Sequence, residues 1–219
     1  MSQHLSRQLA VLREKILHVG GCVEQAISRA VHALVERDAR VAAEVVAADD
    51  VIDKLEVEVE EECLKTLALY QPVAADLRFV VSILKINNDL ERMGDLAKNV
   101  AKRVLFLAEC PPADITSNVR IMASKAQAMV KQSLDSLVEF DATMARRVRE
   151  ADDSVDALNK EIQAAIREHL KQSPEQVDCW LRWISVVKHI ERMADMATHV
   201  AEDVIYMVEG DIVRHRTEE

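Results

Sequence analysis

Three observations predict an all-α fold, built as two tandem, sequence-related antiparallel three-helix bundles. Gly and Pro number only four each and aromatics are 3% of the chain, while Ala, Val, Leu and charged residues dominate. Such a mixture suits long helices and leaves little material for sheets. Apolar residues recur at spacings of three and four, the period of a half-buried helix. The chain also repeats itself: LERMGDLAKNVA at residues 90–101 returns as IERMADMATHVA at residues 190–201, with seven of twelve positions identical. The repeat reaches further, because LVERDARVAAEVVAADDVID at 34–53 aligns with LVEFDATMARRVREADDSVD at 137–156. Internal duplication of this length marks two copies of one structural unit.

The first half reads as helices over residues 6–37, 39–70 and 74–109. In the first of these, Gly20–Gly21 costs roughly 1 kcal/mol per glycine relative to Ala, which close packing against a neighbour would explain. Asp38 stands where the second helix begins, and its carboxylate can cap the exposed N–H groups there. That second helix carries Val45, Ala48, Ile52, Leu55, Val59 and Cys63 on one stripe, and Pro72 ends it. The third presents Leu90, Met93, Ala97, Val100, Ala101 and Val104. Pro111–Pro112 cannot continue a helix and divide the chain into units 1–110 and 113–219, each expected to fold around its own core. The second unit repeats the trio, with Asp141 as the equivalent cap and Ser173-Pro174-Glu175-Gln176 as a helix start. The loop YQPVAADLR of the first half faces the shorter KQSPEQVDC of the second. Gly94 against Ala194 suggests closer packing in the first half. Trp180 and Trp183, three apart on one face, read as core packing at a helix start, with a partner-binding patch as the alternative.

Composition excludes several classes. A formal charge of −10 argues against nucleic acid, whose phosphates demand a cationic face. An acidic surface favours cations, basic protein patches or plain solubility. The four cysteines (Cys22, Cys63, Cys110, Cys179) contain no C-x-x-C pair, which fits a reduced, cytoplasmic setting. The segment MSQHLSRQLAVLREK lacks the apolar core of a signal peptide, and no apolar run nears the ~18 residues of a membrane span. Any action at a membrane is expected to pass through partners already there.

The chemistry-bearing residues are paired carboxylates. Glu91 and Asp95, four apart, share a helix face, and Glu191 and Asp195 repeat them. The second helix of each half adds Asp49 with Asp53 and Asp152 with Asp156; in the first half Glu56 and Glu60 continue the stripe. If those helices are neighbours, the acidic stripes meet, facing solvent. Such clusters suit Mg, Mn or Fe, and His199, four after Asp195, adds an imidazole that favours Fe or Zn. Its counterpart Asn99 is a weaker ligand, so the two sites are not equivalent. The competing reading is a solvated acidic face screened by Arg92 and Arg192. No catalytic residue is assigned: there is no Glu-x-x-His, no phosphate-binding glycine loop and no nucleophile elbow. His4, His18, His32, His169, His189 and His215 show no ligand spacing, and His189 reads as a surface residue.

These stretches together resemble the PhoU family, phosphate-signalling regulators of bacteria. The most specific is LYQPVAADLRFVVSILKINNDLERMGDLAKNVAK at 69–102, supported by GGCVEQAISRAVHAL at 20–34 and IERMADMATHVAEDVIYMVEG at 190–210. The family's E/D-x-x-x-D signature matches Glu91 to Asp95 and Glu191 to Asp195. The resemblance implies tandem three-helix bundles, surface metal clusters in some members, and a homodimer. It further implies a non-catalytic negative regulator of the Pho regulon and of phosphate uptake, linking the ATPase subunit of the Pst transporter to the sensor kinase PhoR. Two other readings stay open from the residues alone: a metal-dependent helical-bundle enzyme, and a helical scaffold without a metal role.

Overall fold

The computed structural model describes residues 3–213 and, among these, contains helices and no strand. The helices are α1 (Gln3–Glu36), α2 (Ala39–Ala48), α3 (Asp50–Tyr70) and α4 (Ala74–Leu107). The second half supplies α5 (Thr116–Glu139), α6 (Ala142–Gln172) and α7 (Val177–Glu209), with a 3-10 turn at Pro174–Gln176 ahead of α7. One bundle is α1, α4 and the bent pair α2–α3; the other is α5, α6 and α7. The expected caps form: the Asp38 carboxylate accepts from Val41 N at 3.0 Å, and that of Asp141 from Thr143 N and Met144 N at 2.8 and 3.0 Å. Ser173 opens the 3-10 turn without a side-chain cap, so the α-helix itself begins at Val177.

Two expectations about elements are corrected. The helix expected over 39–70 breaks at Asp49. There the Asp49 carbonyl takes a tight bond from Ile52 N at 2.9 Å and only a long one from Asp53 N at 3.4 Å. The Asp49 side chain is buried at this bend. The cysteines are not all reduced: Cys110, just after α4, and Cys179, in the first turn of α7, form a disulfide with Cα atoms 6.1 Å apart. Cys22 and Cys63 are free.

The two bundles do not keep separate cores. Their buried residues form one continuous cluster, with α4 and α7 packed along each other at its centre. These two helices run antiparallel, as four contacts show. The Arg78 guanidinium lies beside Gly210, Lys85 Nζ is 3.3 Å from Asp203 Oδ1, Arg103 Nε donates to Ser185 Oγ at 3.1 Å, and Arg182 stacks on Phe106. The contacts 85–203 and 103–185 are the same contact made twice, since the halves are offset by one hundred residues here. An approximate two-fold axis therefore passes between the helices near Gly94 and Ala194. α1 and α5 pack against each other as well. Gly20 makes room for α5, because a Cβ there would meet Leu134 Cδ2 at 2.8 Å, whereas one at Gly21 would meet nothing within 4 Å. Trp180 and Trp183 are buried as expected.

Candidate functional site

The neighbouring helices bring the acidic stripes together, twice. In the first half Asp49, Asp53 and Glu56 of α2–α3 face Glu91 and Asp95 of α4. Burial pushes the Glu91 carboxyl above its ordinary range, and Asp95, Asp53 and Glu56 add to the rise. Asp53 and Glu56 are also raised, first by burial and then by Asp49 and by Glu60 respectively. The expectation that these carboxylates all face solvent fails at Asp49, which is 5% exposed. Its carboxylate is hydrogen-bonded to Lys98 Nζ, which also reaches Asp95 Oδ1 at 3.3 Å. That bond to Asp49 holds the Lys98 ammonium above its usual range. A lysine four residues beyond Gly94 thus sits as a cation among the first cluster's acids, a role the acid spacing alone did not reveal.

The second cluster has no lysine at the equivalent place. Asp152 and Asp156 of α6 face Glu191, Asp195 and His199 of α7, and Thr198 stands where Lys98 does. Burial, then Asp195, Asp156 and Asp153, raise the Asp152 carboxyl to about 6. Glu191 and Asp195 are raised as well, by burial first and then by Asp195 and Asp156 respectively. His199 is exposed and lowers both Asp152 and Asp195 by its charge. Among the described residues, no three His, Cys, Asp or Glu side chains converge closely enough to hold a metal ion as they lie. The donor types are nonetheless those a hard or borderline cation takes, and mutual repulsion with no ammonium bonded among its acids in the described residues makes the second cluster the better fit.

Between the bundles lies a cleft of about 820 Å³. Glu56 and Glu60 line it from α3, Lys85, Asp89 and Arg92 from α4, Asp152 from α6, and Asp195, His199 and Glu202 from α7. Asn87, 1% exposed, donates to the Glu56 carbonyl at 2.9 Å and leaves its own Oδ1 unpartnered at the cleft wall. Sequence reasoning missed Lys85, Asp89 and Glu202, and named Arg92 only as a charge screening the acids. The available signal was that α4 and α7 carry apolar residues on more than one face, so polar positions between them must line an inner boundary. His189 is half-buried rather than a surface residue. Its Nε2 lies 3.1 Å from Ser185 Oγ, and burial, Arg103, Arg192 and Lys188 all lower its pKa. His215 lies outside the described residues. No helix among the described residues is long and apolar enough to cross a membrane.

Known proteins share this arrangement. The PhoU domain matches twice, at residues 16–104 and 119–204. A phosphate-specific transport system accessory protein, the PhoU homolog of Aquifex aeolicus, is 39% identical over 97% of this chain and 96% of its own. The homolog of Pseudomonas aeruginosa is 38% identical over 98% of this chain and 89% of its own. The crystal structure of PhoU from Pseudomonas aeruginosa superposes with a TM-score of 0.92 at 36% identity, covering 94% of this chain and 99% of that one. The phosphate transport system regulatory protein PhoU from Streptococcus pneumoniae gives 0.88 at 28% identity, over 95% and 99%. With the domain present in both halves and the likeness running nearly end to end, this chain belongs to the PhoU family.

Proposed function

We propose that this protein is a non-catalytic adaptor that represses the Pho regulon and restrains phosphate uptake. In this reading it works in the cytoplasm as a homodimer, meeting the ATPase subunit of the Pst transporter on one side and the PhoR sensor kinase on the other. The observation that carries the reading is the near end-to-end likeness to accessory and regulatory proteins of phosphate transport systems. Charged, solvent-reaching surfaces on both sides of the α4–α7 seam suit a protein that contacts more than one partner. Deleting the gene should leave secreted alkaline phosphatase high even in phosphate-rich medium, and restoring it should bring the enzyme down. Full repression in the deletion strain would refute the role.

A metal role deepens this reading at the second cluster. Asp152, Asp156, Glu191, Asp195 and His199 would hold Mn, Fe, Mg or Zn. Such an ion supplies charge neutralisation and a hard coordination point for oxygen ligands. Glu91, Asp95, Asp49 and Asp53 would hold one only after Lys98 moves aside. The specific support is the contrast between Lys98 and Thr198. Metal-stripped protein should therefore gain thermal stability with Mn, and Asp195→Asn should erase more of that gain than Asp95→Asn. Equal losses from the two variants would remove the asymmetry.

A further inference from the structure

Because the halves are duplicates, each residue on one side of the two-fold axis has a counterpart on the other. Residues 85, 89, 92, 99 and 103 share one face of α4, and 185, 189, 192, 199 and 203 share one face of α7. Where the start of α4 meets the end of α7, the seam is acidic, with Asp89, Asp195, Glu202 and Asp203. Where the end of α4 meets the start of α7, three of these four positions turn basic and only Asp195 keeps its sign, as Asp95. Asn88 becomes Lys188, Asp89 becomes His189, Glu202 becomes Lys102 and Asp203 becomes Arg103. Arg192 matches Arg92, while Lys85, replaced by Ser185, and His199, replaced by Asn99, run the other way.

One cation of this second end, Arg103, is fixed in place, and Lys102, Lys188 and Arg192 are exposed around it. Arg103 Nε donates to Ser185 Oγ at 3.1 Å, and the same oxygen lies 3.1 Å from His189 Nε2, which fixes the guanidinium against the α7 turn bearing Lys188 and Arg192. Arg103, Lys188 and Arg192 all lie within electrostatic reach of the His189 ring. Among the described residues none of Lys102, Arg103, Lys188 and Arg192 makes an ion pair with a carboxylate. In a chain of net charge −10, four cations from two helices, none bonded to a carboxylate, make a patch of opposite sign to the rest, with Glu191 and Asp195 within electrostatic reach of Lys188 and Arg192 at its border.

We propose that this end of the α4–α7 seam binds a small multivalent oxyanion of the phosphate type, through Arg103, Arg192, Lys188 and Lys102. Guanidinium groups present paired N–H donors that match two oxygens of a tetrahedral anion, and the ammonium groups add charge without geometric demand. The site depends on these cations alone and not on the regulatory role above, so failure of one leaves the other standing.

The test is a calorimetric titration of the full chain in phosphate-free buffer at constant ionic strength, with orthophosphate in one arm and ATP in another. Saturable binding of one anion per chain is expected. The Arg103→Gln/Arg192→Gln pair should weaken it by roughly tenfold or more, given the strength of charge-assisted hydrogen bonds. Arg192→Lys alone should retain part of the affinity, and Lys54→Gln, an exposed cation of α3, should leave it unchanged. Binding of orthophosphate without competition from ATP identifies the free anion as ligand; tighter binding of ATP identifies a nucleotide-borne phosphate. No saturable binding in either arm overturns the proposal, as does undiminished binding by a double variant whose circular dichroism matches the parent.

Discussion

Lys98 and Thr198 occupy equivalent places in the repeat, yet one side chain decides how each acidic cluster behaves. Lys98 compensates a buried Asp49, so Lys98→Met should leave an aspartate in the core without a counter-charge. A loss of roughly 2–4 kcal/mol in urea unfolding is expected, with Lys98 partly exposed and hence below the upper end for fully buried pairs. Combining it with Asp49→Asn should recover much of that loss, whereas strict additivity would show that the two groups do not communicate. At the second cluster the imbalance runs the other way. The Asp152 carboxyl stands near 6 against an ordinary 3.8, so the folded chain holds this proton more tightly than the unfolded one. The group is neutral to stability below about pH 4, costs progressively more as pH rises toward 6, and exerts its full cost above that. In chelator, Asp152→Asn should therefore be more stable than the parent at pH 7.5, by about 1 kcal/mol after allowance for solvent screening. That corresponds to roughly 2–4 °C in melting temperature, vanishing near pH 4; a gap independent of pH would contradict the assignment. The acids themselves were legible from their spacing of four. Lys98 was not, because its importance comes from a buried partner forty-nine residues away that no local pattern connects to it.

At the level of elements, periodicity located the helices and the two aspartate caps, since these are decided within a few residues of chain. What it could not locate depends on register between elements. The break at Asp49 is invisible in a stripe that continues unbroken through Val45, Ala48 and Ile52. The Cys110–Cys179 bond exists because antiparallel α4 and α7 bring the end of one to the start of the other, a pairing absent from cysteine spacing. The Gly94–Ala194 difference was legible in outline, and the structure supplies its cause. A Cβ at Gly94 would come 3.0 Å from Ile52 Cδ1, and the repeat places the shorter Val155 opposite Ala194. Ile with Gly and Val with Ala are two solutions to one packing problem. Gly94→Ala gains about 1 kcal/mol of helix propensity but overpacks the contact by roughly 1–3 kcal/mol, so a net loss is expected in the parent. In the Ile52→Val background the clashing methyl is gone, and the same substitution should stabilise. A thermodynamic cycle of the four proteins should give a favourable coupling of about 1–2 kcal/mol, and a coupling near zero would show that Ile52 yields freely.

For the whole molecule, the duplication suggests two folding units, but the packing joins them. Buried apolar residues occupy α4 on several sides (Ile83, Ile86, Leu90, Met93, Leu96, Val100 and Val104), more than one three-helix bundle can cover from a single direction. The remaining cover is α7, which is buried in the same manner through Val186, Val187, Ile190, Met193, Met196 and Val200. Pro111–Pro112 then mark a boundary in the sequence and not in the energetics, and unfolding of either half would strip apolar surface from the other. The chain carries natural reporters for each half. Both tryptophans, Trp180 and Trp183, lie in the second, while the buried Cys63, whose thiol burial pushes to about 12, lies in the first. Ile190→Ala removes a fully buried side chain of the second half and should cost about 2–5 kcal/mol. Tryptophan fluorescence and alkylation of Cys63, read by mass against urea, should shift together to lower denaturant, with coincident midpoints in parent and variant alike. If the fluorescence midpoint falls while Cys63 keeps its protection, each bundle stands on its own core, and the acidic and cationic ends of the seam would then belong to separable parts.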